Sequence, residues 1–103
     1  MNVNEYGIIF AFSTAFNMSG FSSISIDFVK PDGTTLTVSN PSVTVPNVDL
    51  PTTVGTFLAN KYAQYTFQPG DVDQVGLWAA RVVYTDANPQ HLISDVGTFT
   101  VNL

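Results

Sequence analysis

The chain has 103 residues, close to the commonest size of one folded domain, and 11% of them are charged, against about 25% in an average globular protein. Its formal net charge is −5 and its basic residues are Lys30, Lys61 and Arg81, so it lacks the clustered cations that binding to nucleic acid or to an anionic membrane requires. The absence of cysteine excludes a disulfide or a thiolate centre, and one histidine is too few for the usual zinc site. We therefore expect no cofactor and no metal.

No targeting segment or membrane span is evident in the sequence. The first six residues include Glu5 and no basic residue, and the apolar run at 7–12 is too short for the core of a signal peptide. Nothing approaches the roughly 18 consecutive apolar residues that a membrane helix needs. We expect a protein that is not secreted by a signal peptide and that folds in the cytoplasm, where a chain without cysteine is common.

The first half of the chain shows the period-two alternation of β-strands, and no window has the spacing of an amphipathic helix. A first strand is predicted at residues 6–12, and a second at 23–29 with Ile24, Ile26 and Phe28 on one face. The Lys-Pro-Asp-Gly sequence at 30–33 predicts a tight turn, because proline presets φ and glycine accepts the left-handed conformation. A strand at 34–38 then completes a hairpin. One face of the first strand is expected to carry Tyr6, Ile8, Phe10 and Phe12.

Residues 46–61 form the least regular segment, which is typical of either a meandering edge strand or an extended arm. Val54, Phe57 and Leu58 lie there among proline, threonine and glycine without clear alternation. A strand at 62–67 follows, with Tyr65 on the core face and Tyr62 predicted outward.

The last third of the chain favours the closing strands of a sandwich. A Pro-Gly-Asp loop at 69–71 leads through glycine into a strand at 77–85 with Trp78 near its start, and further strands are predicted at 92–94 and 98–103, with Gly97 as a bulge and Leu103 inward. Seven to nine short strands separated by turns every 8–12 residues predict an all-β fold, an immunoglobulin-like β-sandwich of seven to nine antiparallel strands, as a single domain over residues 1–103. Its core face in the long strand is expected to be Trp78, Ala80, Val82 and Tyr84.

Few residues could support catalysis or metal binding. His91, the one histidine, lies in a turn where an exposed ring is the ordinary outcome, and serine catalysis would need that base oriented by an acid beside a nucleophile. Asp71, Asp73 and Asp86 could meet at one end of a sandwich and bind calcium, but aspartate is equally common in turns. We therefore predict no catalytic, cofactor-binding or metal-binding residues and no enzyme activity.

A carbohydrate platform would need exposed aromatic residues. Tyr65, Trp78 and Tyr84 fall on predicted core faces, which leaves Tyr62 as the outward aromatic of these strands. One exposed tyrosine makes a weak platform, so a glycan-binding module stays an alternative to a protein-binding one.

The whole chain resembles small immunoglobulin-like proteins and domains of tailed bacteriophages and is similar to the N-terminal domain of phage baseplate upper proteins. Four segments carry the resemblance in order: the strand-Lys-Pro-Asp-Gly hairpin at 24–34, the Pro-Gly-Asp loop at 65–71, the Gly-Leu-Trp strand entry at 76–81, and the Ser-Asp…Phe-Thr-Val close at 93–101. The larger baseplate proteins continue into a fibre or receptor-binding part, and we expect none after residue 103 here.

The resemblance implies a non-enzymatic virion structural protein, above all a capsid decoration or cement protein that binds the major capsid protein. The alternatives are a tail or baseplate adaptor and a module that binds a host glycan or receptor. The implied location is the virion, assembled in the host cytoplasm, with other virion proteins as partners and room for a homo-oligomer on the particle. We expect the partner interface to include Val54, Phe57, Leu58 and Tyr62.

Overall fold

The computed structural model describes residues 1–88 and 90–103, and these residues form β-strands joined by turns, with no helix among them. Every strand pair within the sheets is antiparallel. The described strands are β1 (Ile9–Ser13), β2 (Phe21–Val29), β3 (Thr35–Ser39), β4 (Leu50–Thr52), β5 (Gly55–Phe57), β6 (Tyr62–Thr66), β7 (Gly76–Asp86), β8 (His91–Ile93) and β9 (Gly97–Val101).

Two sheets make the sandwich. The larger has the order β3-β2-β7, and the far edge of β7 is shared by β8 and β9 at different points along its length; the smaller pairs β1 with β6. The predicted all-β sandwich of seven to nine strands is confirmed.

The core lies between the sheets and is rich in aromatic rings. The alternation read from β2 and β7 is confirmed: the inward residues of both strands are buried. The ring of Phe10 lies 5.1 Å from that of Phe28 and 5.2 Å from that of Phe99, so rings from the two sheets interlock. Trp78 is fully buried, and its indole N–H donates to the carbonyl of Gln74 at 3.0 Å, so its single polar atom is satisfied.

The Lys-Pro-Asp-Gly turn forms as predicted between β2 and β3. The Gly33 N–H donates to the carbonyl of Lys30 at 2.9 Å, and Gly33 has a φ of 88°, which favours glycine. The Thr34 N–H donates to Asp32 Oδ1 at 2.9 Å, and hydrogen bonds from the Thr34 hydroxyl and N–H lower the pKa of the Asp32 carboxyl. The turn is thus fixed by local hydrogen bonds that the sequence encodes.

Predictions at the two ends of the chain were wrong in detail. Tyr6 is 64% exposed because the chain bends at Gly7, which has a φ of 77°, before β1 begins at Ile9. Leu103 is 96% exposed, because the inward alternation ends at Val101. Beyond it, the backbone of Asn102 bonds to the carbonyl of Met1 and the N–H of Val3.

Two further predictions were corrected by contacts between distant segments. Tyr62, predicted outward, is 1% exposed because residues 46–58 fold over that side of β6. Gly97 is not a bulge: it is the first residue of β9 and pairs with Ala80 of β7. The irregular stretch is 94–96, where the Ser94 hydroxyl accepts the Val82 N–H. No helix in the described part of the chain is long and apolar enough to cross a membrane.

Candidate interaction site

The hairpin of β4 and β5 is the most exposed structured element. These strands pair with each other and with no other strand among the described residues, and Thr53 and Val54 form the turn between Thr52 and Gly55. Residues 51–56 are all exposed, and Val54 at the tip is 89% exposed. The β4–β5 hairpin therefore presents six consecutive residues to solvent.

The base of the hairpin is fixed to the sandwich by Tyr62. Its ring lies 5.9 Å from the ring of Phe57, and its hydroxyl donates to the carbonyl of Val48 at 2.8 Å. Asp49 Oδ1 accepts the N–H of Ala59 at 2.8 Å, which closes the loop across the two ends of the hairpin. A buried tyrosine thus holds the base while the tip stays exposed.

The hairpin carries no charge. No acidic or basic residue occurs between Leu50 and Leu58, and the nearest charged residues along the chain are Asp49 and Lys61. Desolvating a charge on binding is costly, and the centres of protein interfaces are depleted of charged residues. An exposed, uncharged hairpin with an apolar tip therefore suits contact with another protein.

The four sequence-predicted interface residues do not form one surface. Val54 and Leu58 are exposed, at 89% and 50%, whereas Phe57 is half-buried and Tyr62 is buried. The prediction that Tyr62 contacts a partner is wrong, because Tyr62 is buried beneath the base of the hairpin. The exposed threonines at 52, 53 and 56 were missed, although the Thr-Thr-Val-Gly sequence at 52–55 carries a turn signal at its glycine.

The aspartates considered for calcium have other partners. Asp71 Oδ2 accepts the Tyr65 hydroxyl and the Gln68 N–H, and Asp73 forms an ion pair with Lys30 at 2.9 Å. Burial, and then the hydrogen bond to Asp71, raises the pKa of the Tyr65 hydroxyl. Across residues 1–88 and 90–103, no three His, Cys, Asp or Glu residues are grouped closely enough to hold a metal ion.

The residues considered for catalysis and for carbohydrate binding are also placed unfavourably for those roles. His91 is exposed, and its Nδ1 lies 3.0 Å from the Thr85 hydroxyl rather than beside a carboxylate. Tyr65, Trp78 and Tyr84 are buried as predicted, and with Tyr62 also buried, these strands offer no outward aromatic platform.

Comparisons of the chain with protein-family models, with curated proteins and with solved structures found no match.

Proposed function

We propose that this chain is a non-enzymatic structural protein of a bacteriophage particle, a capsid decoration protein that binds the major capsid protein through the β4–β5 hairpin. The observation that carries the proposal is the exposed, uncharged hairpin that pairs with no other described strand. The virion context comes from the motif order at 24–34, 65–71, 76–81 and 93–101, which resembles small phage immunoglobulin-like proteins.

A two-stranded hairpin without a third strand is marginally stable by itself, and its outer edges leave backbone N–H and carbonyl groups available for pairing. A partner strand laid along either edge would satisfy those groups, and the apolar tip would fill a pocket. Binding by this route needs neither charge nor cofactor.

A capsid offers many copies of one binding site. A modest contact by each small domain therefore suffices when the decoration protein also contacts its neighbours on the lattice, because linked contacts raise the effective concentration. The Thr-rich surface is compatible with such dense packing because few of its residues are charged, although the net charge of −5 opposes the close approach of copies.

The test is co-sedimentation of the purified, tagged protein with phage particles from a lysate of its host. Val54→Asp should reduce the bound protein at least about tenfold without lowering Tm, because it places a charge at the centre of the contact. Leu77→Asp is the matched control: Leu77 is 62% exposed on the larger sheet, and the substitution adds the same charge away from the hairpin. Leu77→Asp should bind normally at pH 7, where the net charge of −5 opposes association through the sheet face.

Separated heads and tails decide where the protein binds. Binding to heads supports a decoration role, and binding to tails alone replaces it with a tail or baseplate adaptor. If wild-type protein sediments with neither, the virion role is wrong. Equal loss in the Val54 and Leu77 variants would remove the hairpin from the interface.

Substitutions at Phe57 and Leu58 distinguish a residue that stabilises the hairpin from one that contacts the partner. Phe57→Ser should destabilise the fold by about 1–2 kcal/mol, less than truncation of a fully buried phenylalanine, because its half-buried ring packs on Tyr62. Leu58→Ser removes a 50% exposed side chain and should leave the free energy of unfolding within about 0.5 kcal/mol of wild type while weakening particle binding. Urea unfolding of both variants checks this, and a large loss for Leu58→Ser would place it in the core.

A further inference from the structure

A small cavity lies where the end of β1 meets the segment that joins β8 to β9. Its volume is about 160 Å³, it is open to solvent on one side, and it is lined by residues 13–16 and 93–95. Phe16 and Ile93 are its large apolar residues, and Asp95 is the one charged residue that lines it. The cavity shares no residue with the β4–β5 hairpin.

Both walls of the cavity are held by hydrogen bonds within the fold. On one side the Thr14 hydroxyl donates to the carbonyl of Phe16 at 2.9 Å, and the Phe16 ring packs 5.9 Å from that of Tyr84. On the other side the Ser94 hydroxyl accepts the Val82 N–H at 2.8 Å and donates to the carbonyl of Asp95 at 3.0 Å. The cavity is therefore preformed, which lowers the entropic cost of filling it.

The polar groups of the lining indicate which ligand chemistry fits. The hydroxyls of Thr14 and Ser94 already have partners, which leaves Ser13 as the one lining hydroxyl without a hydrogen bond in the described structure. A single such hydroxyl is a weak basis for recognising the several hydroxyl groups of a sugar. Among residues 1–88 and 90–103, no hydrogen bond or ion pair engages the carboxylate of Asp95. An apolar wall beside an uncompensated carboxylate suits a cation carried on an aliphatic stem.

We infer that this cavity binds a basic side chain of a partner protein, with its methylene stem against Phe16 and Ile93 and its cationic head at Asp95. The charge of the whole chain favours the same ligand. Its net charge is −5, and two of its three basic residues are already paired, Lys30 with Asp73 and Arg81 with Asp27. The inference does not depend on the virion role, because any partner with an exposed lysine or arginine could use the site.

Small probes test the site directly. Amide shifts of ¹⁵N-labelled full-length protein are followed by NMR during titration with n-butylammonium, which has the shape of a lysine side chain, n-propylguanidinium, which has that of arginine, and n-butanol, which has no charge. We expect saturable shifts at residues 13–16 and 93–95 with a cation, and at least about fivefold weaker binding of butanol. The tighter of the two cations identifies the side chain.

Two matched variants separate a local site from general attraction to an acidic protein. Asp95→Asn should weaken cation binding at least about fivefold, while Asp73→Asn removes the same charge from an exposed ion pair outside the cavity and should leave the affinity unchanged. Well-dispersed spectra of both variants show that they fold. Shifts spread over the surface, equal binding of butanol, equal weakening in both variants, or no saturation at 100 mM cation would each overturn the inference.

Discussion

Asp86 holds the turn between β7 and β8 through three hydrogen bonds. Its Oδ1 accepts the N–H groups of Asn88 and Gln90 at 2.9 and 2.8 Å, and its Oδ2 accepts the Tyr84 hydroxyl at 3.0 Å. These donors favour the ionised carboxylate, so they lower the pKa of Asp86, with the Gln90 N–H as the largest cause. Burial, and then the bond to Asp86, raises the pKa of Tyr84.

The lowered pKa of Asp86 predicts a contribution to acid sensitivity. Because the folded state binds the proton less tightly than the unfolded state, whose Asp pKa is near 3.8, the carboxylate stabilises the fold above that pH. This stabilisation is lost as pH falls through the lower, folded pKa. Asp86→Asn should therefore lower Tm at pH 6 and flatten the fall of Tm with decreasing pH below about pH 4.

Thermal unfolding followed by circular dichroism between pH 2.5 and 6 measures both effects. Asp95→Asn is the matched control, because it removes the same charge without removing a hydrogen bond of the described structure, and it should leave Tm at pH 6 unchanged. An Asp86→Asn curve that parallels the wild type down to pH 2.5 would show that the turn does not depend on ionised Asp86.

At the same scale, the alternation of apolar residues predicted the burial of Trp78 correctly and that of Tyr62 wrongly. The core face of β7 could be predicted because Trp78, Ala80, Val82 and Tyr84 alternate with less buried residues in one unbroken strand. Tyr62 lies on the opposite face of β6 from Tyr65. Alternation shows that the two side chains point to opposite faces, but it does not show whether the second face is also covered. It could not show that residues 46–58 return over that face and bury Tyr62.

At the scale of elements, the sandwich closes where β1 meets β9 at Gly97. A Cβ at Gly97 would lie 2.9 Å from Cε2 and 3.3 Å from Cζ of the Phe12 ring, closer than such atoms pack. Phe12 is partly buried against the core, 6.2 Å from the ring of Phe10, and its ring would have to shift to admit that Cβ. Glycine is needed here for close approach.

Gly97→Ala should therefore cost about 1–3 kcal/mol of unfolding free energy, the usual range for overpacking. Gly20→Ala is a suitable control, because a Cβ there meets the Tyr84 hydroxyl at 3.9 Å, an ordinary contact. In the double variant Gly97→Ala with Phe12→Leu, the smaller side chain should recover part of the loss, and urea unfolding of the cycle measures the coupling. Strictly additive losses would show that Phe12 is not the obstacle.

The elements also show why the site was only partly predictable. The segment at 46–61 was expected to be an edge strand or an arm, and it contains the β4–β5 hairpin, whose three-residue strands are too short to show alternation. The sequence indicates an exposed tip, because Val54 lies among threonines. It does not indicate the cavity at Asp95, because the residues that line this cavity are about 80 positions apart in the chain.

For the whole molecule, net charge opposes association while the larger sheet favours it. Val29 and Leu77, 42% and 62% exposed, lie on the outer face of that sheet, where threonines surround one ion pair, Asp27 with Arg81. Because the two charges of this ion pair cancel and apolar side chains are exposed on the same face, the face can pack against another copy once long-range repulsion is removed.

We therefore expect reversible self-association as pH falls from 7 towards the isoelectric point near 4.1, where the charge of −5 is neutralised. Light scattering should show the mean mass rising over this interval, with circular dichroism confirming that the protein stays folded. Leu77→Asp and Val54→Asp change the net charge equally, but only the first adds charge to the sheet face. Stronger suppression of association by Leu77→Asp would show that association uses that face. Equal suppression by the two variants would show that association depends on net charge alone. A constant mass at pH 4.1 would show that the face does not self-associate.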